Sequence, residues 1–320
     1  MKNNYKVITK MQSNYNVYTS LMHLILSFYR NNKVITYFKC NYKIITKFFI
    51  YYIVITFSVS ALALTFNSDL MDGQLIFGHV KKNEKIFIEN NYLNIGKNDK
   101  NLFQIPTDSA GRFAIGIPQD ATELKLTIQT PTYSKTKIFP VHHRTWDEEY
   151  VTGLPPTKVQ PDPENQKRIT DEALSMRLAR QQSNYPAFPE KWICPVPNFT
   201  RISSHFGSRR ILNNIKKQGH SGTDLAAPVG SSVIAPADGK VVFVHPDLFL
   251  TGQTVMIDHG QGVFSSYSHM SKINVKINQI VKSGDSIGEV GQTGRATGPH
   301  LHWTITWYGV RVNPEDLILF

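Results

Sequence analysis

Cysteine is scarce in this sequence: its 320 residues include two, Cys40 and Cys194. Cys40 lies in a basic N-terminal stretch, so the rest of the chain holds one cysteine and cannot form an internal disulfide. Cys194 has no His or Cys at ligand spacing, and we interpret it as a buried, inert thiol. Stability must then come from packing or from a bound metal.

Acidic residues are missing from residues 1–64, which contain eight Lys or Arg and no Asp or Glu. The formal net charge of the whole chain is +11, but the remaining residues carry 27 basic and 24 acidic side chains. Since most of the basic excess lies in this one segment, we expect no nucleic-acid partner. Hydrophobic residues make up 41% of the chain, which excludes wholesale disorder.

Long apolar runs are also few, and the clearest one spans residues 48–59. Lys43 and Lys47 precede it, and Ala61-Leu62-Ala63 follows it, as in a secretory signal. We therefore predict that residues 1–64 are a leader and that the protein is exported to the periplasm or cell envelope. Counted as residues 48–64, the run has about 17 residues, the lower limit for a membrane-spanning helix, so a retained inner-membrane anchor is the alternative.

Residues 66–145 contain short apolar or alternating runs separated by turn residues, a pattern that predicts a small β-sandwich domain. The predicted strands are 74–78, 85–89, 111–118 and 123–128. His142 and His143 at the end of this segment have no partners at ligand spacing, so we interpret them as polar surface.

Residues 146–187 are predicted to be a Pro-rich linker followed by a helix. Prolines and a glycine within 151–165 argue against any regular element there. The helix is predicted over about 163–182, with acidic residues early and arginine late, and it would pack against or separate the flanking domains.

Residues 188–320 again have a β texture, with many glycine turns and alternating Val and Ile. An Asp238-Gly239 turn between 231–235 and 240–244 predicts one hairpin. Residues 254–258 and 263–267, joined by a glycine-containing turn, predict a second. The expected fold class is therefore mainly β.

Four fragments of this domain carry residues suited to metal chemistry. His300 and His302 are two apart in a predicted strand, so their side chains project from one face. One of them can bind a metal while the other stays free as an acid or base. His220 and Asp224 can supply a nitrogen and an oxygen to the same ion, and three protein ligands plus water are typical of catalytic zinc. The other two fragments are 267–270, which contains His269, and the glycine-containing stretch 293–298.

Each fragment alone has a structural interpretation. His220 and Asp224 match a spacing that arises often by chance, the two strand histidines can form a buried hydrogen-bonded pair, and His269 can be a turn residue. The glycine-rich stretch 291–298 lacks the Gly-Lys-Ser/Thr end of a phosphate loop. Other residues are interpreted as surface or structural, although the arginines can also pair with substrate carboxylates: Arg209, Arg210, Arg295, His205, His245 and His259.

Taken together, the fragments resemble the LytM-type (lysostaphin-type) zinc metallopeptidases, which act on bacterial cell-wall peptides. The resemblance covers roughly residues 190–318. It rests on Ser203-Ser204-His205-Phe206-Gly207-Ser208-Arg209-Arg210, His220-Ser221-Gly222-Thr223-Asp224, Ala235-Pro236-Ala237-Asp238-Gly239, Ile257-Asp258-His259-Gly260, Tyr267-Ser268-His269 and Gly291 through His302.

The resemblance implies that His220, Asp224 and His302 bind zinc. It implies that His269 and His300 are the unmetallated catalytic histidines beside the bound water and the scissile peptide. The implied fold is an antiparallel β-sheet peptidase domain, at 188–320, with the metal on the floor of a groove. The implied function is zinc-dependent hydrolysis of peptide cross-links in peptidoglycan, whose peptide stems would be the substrate.

Some members of the family lack metal ligands and act as activators of other hydrolases. A non-catalytic envelope protein that keeps the groove is therefore the alternative, and a general secreted protease is a narrower one. All five site positions are present, which favours the enzyme. Residues 213–219 depart from the family pattern, in which a proline is frequent.

Overall fold

The computed structural model describes residues 69–89, 102–153, 156–181, 185–186 and 191–318. Residues 64–320 form one compact unit, distinct from residues 1–63. The predicted leader, including the apolar segment 48–64, lies outside the described residues. Within the described ranges, no helix combines the length and the apolar character needed to cross a bilayer. The predicted domain boundaries inside the compact unit stay predictions.

The first part of the unit is built from short strands that alternate between buried and exposed positions. In the strand Glu123–Gln129, Leu124, Leu126 and Ile128 are buried and their neighbours are more exposed, as expected where one face covers a core. The strands are β1 (Leu70–Met71), β2 (Leu75–His79), β3 (Lys85–Glu89), β4 (Leu102–Ile105), β5 (Arg112–Gly116), β6 (Glu123–Gln129) and β7 (Ser134–His142). They form a five-stranded sheet in the order β1-β7-β6-β3-β4 and a two-stranded sheet, β2-β5.

A strand and two helices connect this part to the second one. They are β8 (Glu148–Val151), α1 (Pro156–Val159) and α2 (Pro163–Gln181). The long helix matches its prediction to within one residue. The expectation that 151–165 contains no regular element was wrong, because α1 forms there and buries Val159 against Leu212.

The second part is dominated by one antiparallel sheet. Its strands are β9 (Arg201–Ser204), β12 (Thr223–Ala226), β13 (Ser232–Ile234), β14 (Gly239–Leu248), β15 (Gly252–Asp258), β16 (Val263–Ile273), β17 (Ile280–Val281), β18 (Ser286–Val290), β19 (His300–Trp307) and β20 (Val310–Val312). Its main path runs β17-β14-β15-β16-β19-β12-β9. Two further strands, β10 (Arg209–Leu212) and β11 (Ile215–Lys216), pair with each other, and the 3-10 helix Pro314–Leu317 follows β20. The mainly β prediction is confirmed.

Of the two predicted hairpins, one is confirmed. Strands β15 and β16 pair as expected, with Asp258 opposite Phe264. The prediction that 231–235 pairs with 240–244 was wrong, since β13 pairs with β18 and β14 pairs with β15 and β17. The Asp238 carboxylate accepts hydrogen bonds from Ser283 N and Lys282 Nζ, so its loop is tied to a distant segment.

Polar contacts hold α2 to the large sheet. Arg168 donates to Asp247 O, and the Glu172 carboxylate accepts from Phe249 N, both at the end of β14. None of the helix residues is buried, and Leu174 and Leu178 remain exposed. Helix α2 therefore contacts the sheet through charged side chains. The incomplete row of apolar residues along the helix did not predict these polar contacts.

Aromatic side chains of the large sheet form a buried layer, in which Tyr267, Trp303 and Trp307 are fully buried. Strand β5 approaches this layer closely at Gly116. A Cβ at that position would lie 2.9 Å from the Trp307 Cβ, so glycine permits the contact between the two parts of the unit. Arg144 also joins the two parts through a bidentate pair with Asp316, at 2.9 and 2.6 Å.

His259 is a fully buried structural histidine at the end of β15. Its Nδ1–H donates to Asp238 O at 2.8 Å, and its Nε2 lies 2.7 Å from Ser265 Oγ, which also contacts Tyr267 Oη. Burial lowers the pKa of His259 to about 4. The ring is therefore neutral in the folded protein at pH 5, whereas in the unfolded chain it is protonated.

We expect this difference to make stability depend on pH. The unfolded chain binds the proton below about pH 6.5 and the folded chain only below about pH 4, so stability falls as pH drops between these values. Between pH 7 and pH 5 the His259 contribution to the loss is about 2 kcal/mol. Urea unfolding at both pH values measures it. A His259→Gln variant that loses as much stability as the wild type over this interval would contradict the assignment.

Candidate metal and catalytic site

Two adjacent strands of the large sheet bring the predicted site residues together. In the pairing of β12 with β19, Asp224 lies opposite His302 and Ala226 opposite His300. His300 and His302 are on one strand at positions i and i+2, as predicted, and both side chains approach Asp224. His220 lies just before β12.

Close packing of these strands requires Gly222. A Cβ on Gly222 would lie 2.2 Å from Trp303 O, a distance that no side chain tolerates. Any other residue would push the segment from His220 to Asp224 away from β19. Gly222 therefore allows His220 and Asp224 to lie close to His300 and His302 on β19.

His220, Asp224 and His302 form a compact group of three potential metal ligands. His220 Nε2 is 3.1 Å from Asp224 Oδ1, His302 Nδ1 is 2.7 Å from the same oxygen, and the two nitrogens are 2.9 Å apart. Each of the three residues is less than one-tenth exposed. The sequence-predicted ligands thus converge on one point.

Hydrogen bonds outside the group fix how the two imidazoles face it. His220 Nδ1 lies 3.0 Å from His205 O, an acceptor, so Nδ1 carries the proton and Nε2 presents a lone pair. On His302 the outer nitrogen is Nε2, held by Thr304 Oγ1 at 2.9 Å and Ser221 Oγ at 3.2 Å. Nδ1 is therefore the nitrogen of His302 that faces Asp224.

A cation fits this arrangement. When the outer nitrogen of each ring carries the proton, two imidazole lone pairs and a carboxylate oxygen converge within hydrogen-bond distance. Three acceptors at this separation repel one another unless a positive charge lies among them. Two imidazoles and one carboxylate also match the donor set of catalytic zinc sites that keep a position open. The residues present therefore fit the metal that the resemblance implies.

The protonation states of the group agree with ligand roles. Burial acts to raise the pKa of Asp224, but its close contacts with the His220 and His302 rings outweigh burial and hold the pKa well below its ordinary value. Burial lowers the pKa of His302 to about 4. At neutral pH the carboxylate is ionised and the imidazole is neutral, which are the forms that bind metals.

His269 and His300 lie beside this group and face each other, with ring centroids 4.8 Å apart. Backbone carbonyls hold both Nδ1 atoms: His269 Nδ1 donates to Thr293 O at 2.7 Å and His300 Nδ1 to Gly298 O at 2.8 Å. In the neutral form of each ring, Nε2 is therefore the unprotonated nitrogen. His300 Nε2 is 3.7 Å from Asp224 Oδ2.

The backbone of His269 has a positive φ of 63°, which non-glycine residues seldom adopt. It lies where β16 stops pairing with β19 and continues beside β18. Burial, followed by the charges of His300 and His302, lowers the pKa of His269 to about 3. The ring is thus neutral and held in a constrained position.

Of the arginines and histidines that the sequence left as surface or structural residues, some lie at the site and others on the surface. Arg210 reaches the site, where its Nη2 donates to Asp224 Oδ2 at 2.7 Å. Burial and the nearby charge of Arg210 lower the pKa of Arg295. Arg209 is exposed. His205 is also exposed, 2.9 Å from Glu315 Oε2, and is not part of the ligand group.

Three residues around the candidate ligands were not identified from the sequence: Ser204 and Thr304 contact His220 and His302, and Glu149 contacts Ser204. Ser204 and Thr304 lie in or beside recognisable fragments, so their hydroxyl groups next to ligand histidines were available as a signal. Glu149 lies in the predicted linker and had no such signal.

A second group of ligand-type residues, Asp72, Asp120 and His143, lies in the first part of the unit. The Asp72 carboxylate accepts hydrogen bonds from Arg144 N at 2.8 Å and Asp120 N at 3.1 Å. Its oxygens therefore have backbone partners, which accounts for the burial of this charge.

Comparison with known proteins agrees with this geometry. The sequence profile of Peptidase family M23 matches residues 218–314. A crystal structure of a protein assigned to peptidase M23 from Pseudomonas aeruginosa superposes with a TM-score of 0.58 at 30% identity, over 78% of this chain and 96% of that one. The chain belongs to peptidase family M23. The fold and the resemblance inferred from the sequence are thereby confirmed.

Two curated relatives match part of this M23 chain. The peptidoglycan DD-endopeptidase ShyA of Vibrio cholerae is 44% identical over 122 residues, which are 37% of this chain. The DD-carboxypeptidase/endopeptidase Mpg of Neisseria meningitidis is 43% identical over 123 residues, 38% of this chain. The matched segments span 28% of the length of each relative.

All five candidate site residues of this M23 chain lie inside the matched range 218–314. Ser204 and Arg210, which contact His220 and Asp224, lie before it, and Glu149 lies far before it. The immediate surroundings of the candidate metal ligands are therefore built partly from segments outside the family profile.

Proposed function

We propose that this protein is a zinc-dependent endopeptidase that hydrolyses peptide cross-links of bacterial peptidoglycan. The observation that carries the proposal is the convergence of His220 Nε2, His302 Nδ1 and Asp224 Oδ1, with two further histidines beside them. The similarity to peptidoglycan DD-endopeptidases supports the substrate class. The same substrate supports action outside the cytoplasm.

The metal site would be formed by His220, Asp224 and His302. A bound zinc ion supplies a Lewis acid, which lowers the pKa of a water molecule and polarises the scissile carbonyl. The carboxylate of Asp224 offsets part of the positive charge. The outward hydrogen bonds of the two histidines keep their inner nitrogens aligned as donors to the metal.

His269 and His300 would carry the protons of the reaction. Each presents an unprotonated Nε2, because a backbone carbonyl holds its Nδ1–H. One Nε2 takes a proton from the attacking water, and a protonated ring returns a proton to the leaving amine. As a hydrogen-bond donor, a protonated ring also stabilises the oxyanion. The two rings share these roles.

Removal of metal should abolish the activity reversibly. We expect the full-length chain to release soluble fragments from purified peptidoglycan, to stop after treatment with a chelator, and to recover on addition of zinc. Fragment release and bound zinc are measured on the same samples. Unaltered release by chelated, metal-free protein would contradict the proposal, and zinc binding without any release would favour the non-catalytic alternative.

A further inference from the structure

We infer that Glu149 is a positioning residue for the metal site, supplied by strand β8 from outside the M23 range. It acts through Ser204 and Arg210, each of which contacts one proposed metal ligand. This inference rests on the proposed metal-binding function and assigns a role to a segment that the sequence suggested was a linker.

The first connection runs through a hydroxyl group. Glu149 Oε2 accepts a hydrogen bond from Ser204 Oγ at 2.6 Å, and Ser204 Oγ lies 2.9 Å from His220 Nδ1. Because the Ser204 proton goes to the carboxylate, its oxygen is left to accept from His220 Nδ1–H. Together with His205 O, this acceptor keeps the proton on Nδ1 and the lone pair on Nε2.

The second connection runs through a guanidinium group. Arg210 Nε donates to Glu149 Oε2 at 3.2 Å, while Arg210 Nη2 donates to Asp224 Oδ2 at 2.7 Å and to Ser204 Oγ at 3.0 Å. Arg210 therefore holds the Asp224 carboxylate by one oxygen and leaves Oδ1 for the metal.

The charge of Glu149 matters because Arg210 is positive. Alone, Arg210 would compete with a cation for the Asp224 carboxylate. Glu149 neutralises Arg210. Together, Glu149, Arg210 and Asp224 therefore keep one net negative charge beside the metal. Loss of the Glu149 charge brings this net charge to zero and disfavours a divalent cation.

Backbone pairing positions Glu149 beside Arg210. Strand β8 lies parallel to β10, with Glu149 opposite Arg210 in the register. Because main-chain hydrogen bonds hold β8, a change of the Glu149 side chain leaves the strand in position. The segment before the peptidase fold thus reaches the metal ligands through a single carboxylate.

The test is the zinc affinity of the full-length chain, measured by competition with a chromophoric chelator. We expect Glu149→Gln to weaken zinc binding about 10- to 100-fold, the usual effect of losing a partner that orients a ligand. Glu148→Gln is the matched control, since Glu148 is the exposed neighbour on β8, and it should bind zinc as the wild type does. Urea unfolding of the metal-free variants should match the metal-free wild type.

A double-variant comparison tests the route. In an Arg210→Met background, Glu149→Gln should cause a smaller loss of affinity than in the wild type, because residues that act through one another are not additive. An equal loss in both backgrounds, or zinc affinity of Glu149→Gln equal to that of the wild type, would overturn the inference and leave the metal site standing. A wild-type chain that binds no zinc would overturn both.

Discussion

Replacing Asp224 with Asn should weaken zinc binding by more than about 100-fold, beyond the range seen for residues that only orient a ligand, and reduce peptidoglycan cleavage to background. The substitution keeps the shape of the side chain and removes its charge. Asp224 supplies the only carboxylate oxygen of the ligand group, lying 2.7 Å from His302 Nδ1. Without it, two neutral imidazoles remain to hold a divalent ion. Zinc content after dialysis and release of wall fragments are the measurements.

The fold should survive this change. Arg210 loses Asp224 but keeps its contact with Glu149, so its charge is not left alone. Asp247→Asn is the control, because the Asp247 side chain is 75% exposed and lies near the C-terminal end of β14. An Asp224→Asn variant that retains one zinc with wild-type affinity would remove Asp224 from the ligand set.

Replacing His300 with Ala should separate metal binding from catalysis. We expect the variant to bind zinc as the wild type does and to cleave peptidoglycan about 10²- to 10⁴-fold more slowly, the usual contribution of a general acid or base. His300 lies 3.7 Å from Asp224 but is outside the three-residue ligand group. Cleavage rates at saturating substrate and zinc content measure the two effects independently.

The control for this prediction is His142→Ala, which removes an exposed histidine at the end of β7 in the first part of the unit. It should cleave at the wild-type rate. If His300→Ala loses zinc, its ring belongs to the ligand group. If it keeps zinc and cleaves at the wild-type rate, proton transfer does not depend on it.

The placement of His300 and His302 on one face was predictable from local sequence. His300 and His302 project from one face because they are two apart on a strand, and β19 forms where its aromatic and β-branched residues indicated. The proximity of His220 and Asp224 to that strand came from the resemblance, since no local rule places segments about eighty residues apart next to each other. The positive φ of His269 had no local signal either.

Long-range pairing accounts for what the sequence did not reveal. The Asp238-Gly239 turn favours a hairpin, yet β13 gains its partner in β18, more than fifty residues away. Strand β8 lies just before the prolines of the predicted linker, and its partner β10 is some sixty residues ahead. Turn chemistry is local, whereas these pairings depend on the whole sheet. Glu149 was missed for this reason.

One measurement tests the central account most directly: the masses of products formed from a purified cross-linked muropeptide dimer incubated with the zinc-loaded, full-length chain in ¹⁸O-labelled water. The account predicts two monomeric peptides, one of which carries a single ¹⁸O in its new carboxyl group. An intact dimer, or products cut in the glycan instead of the cross-link, would contradict it.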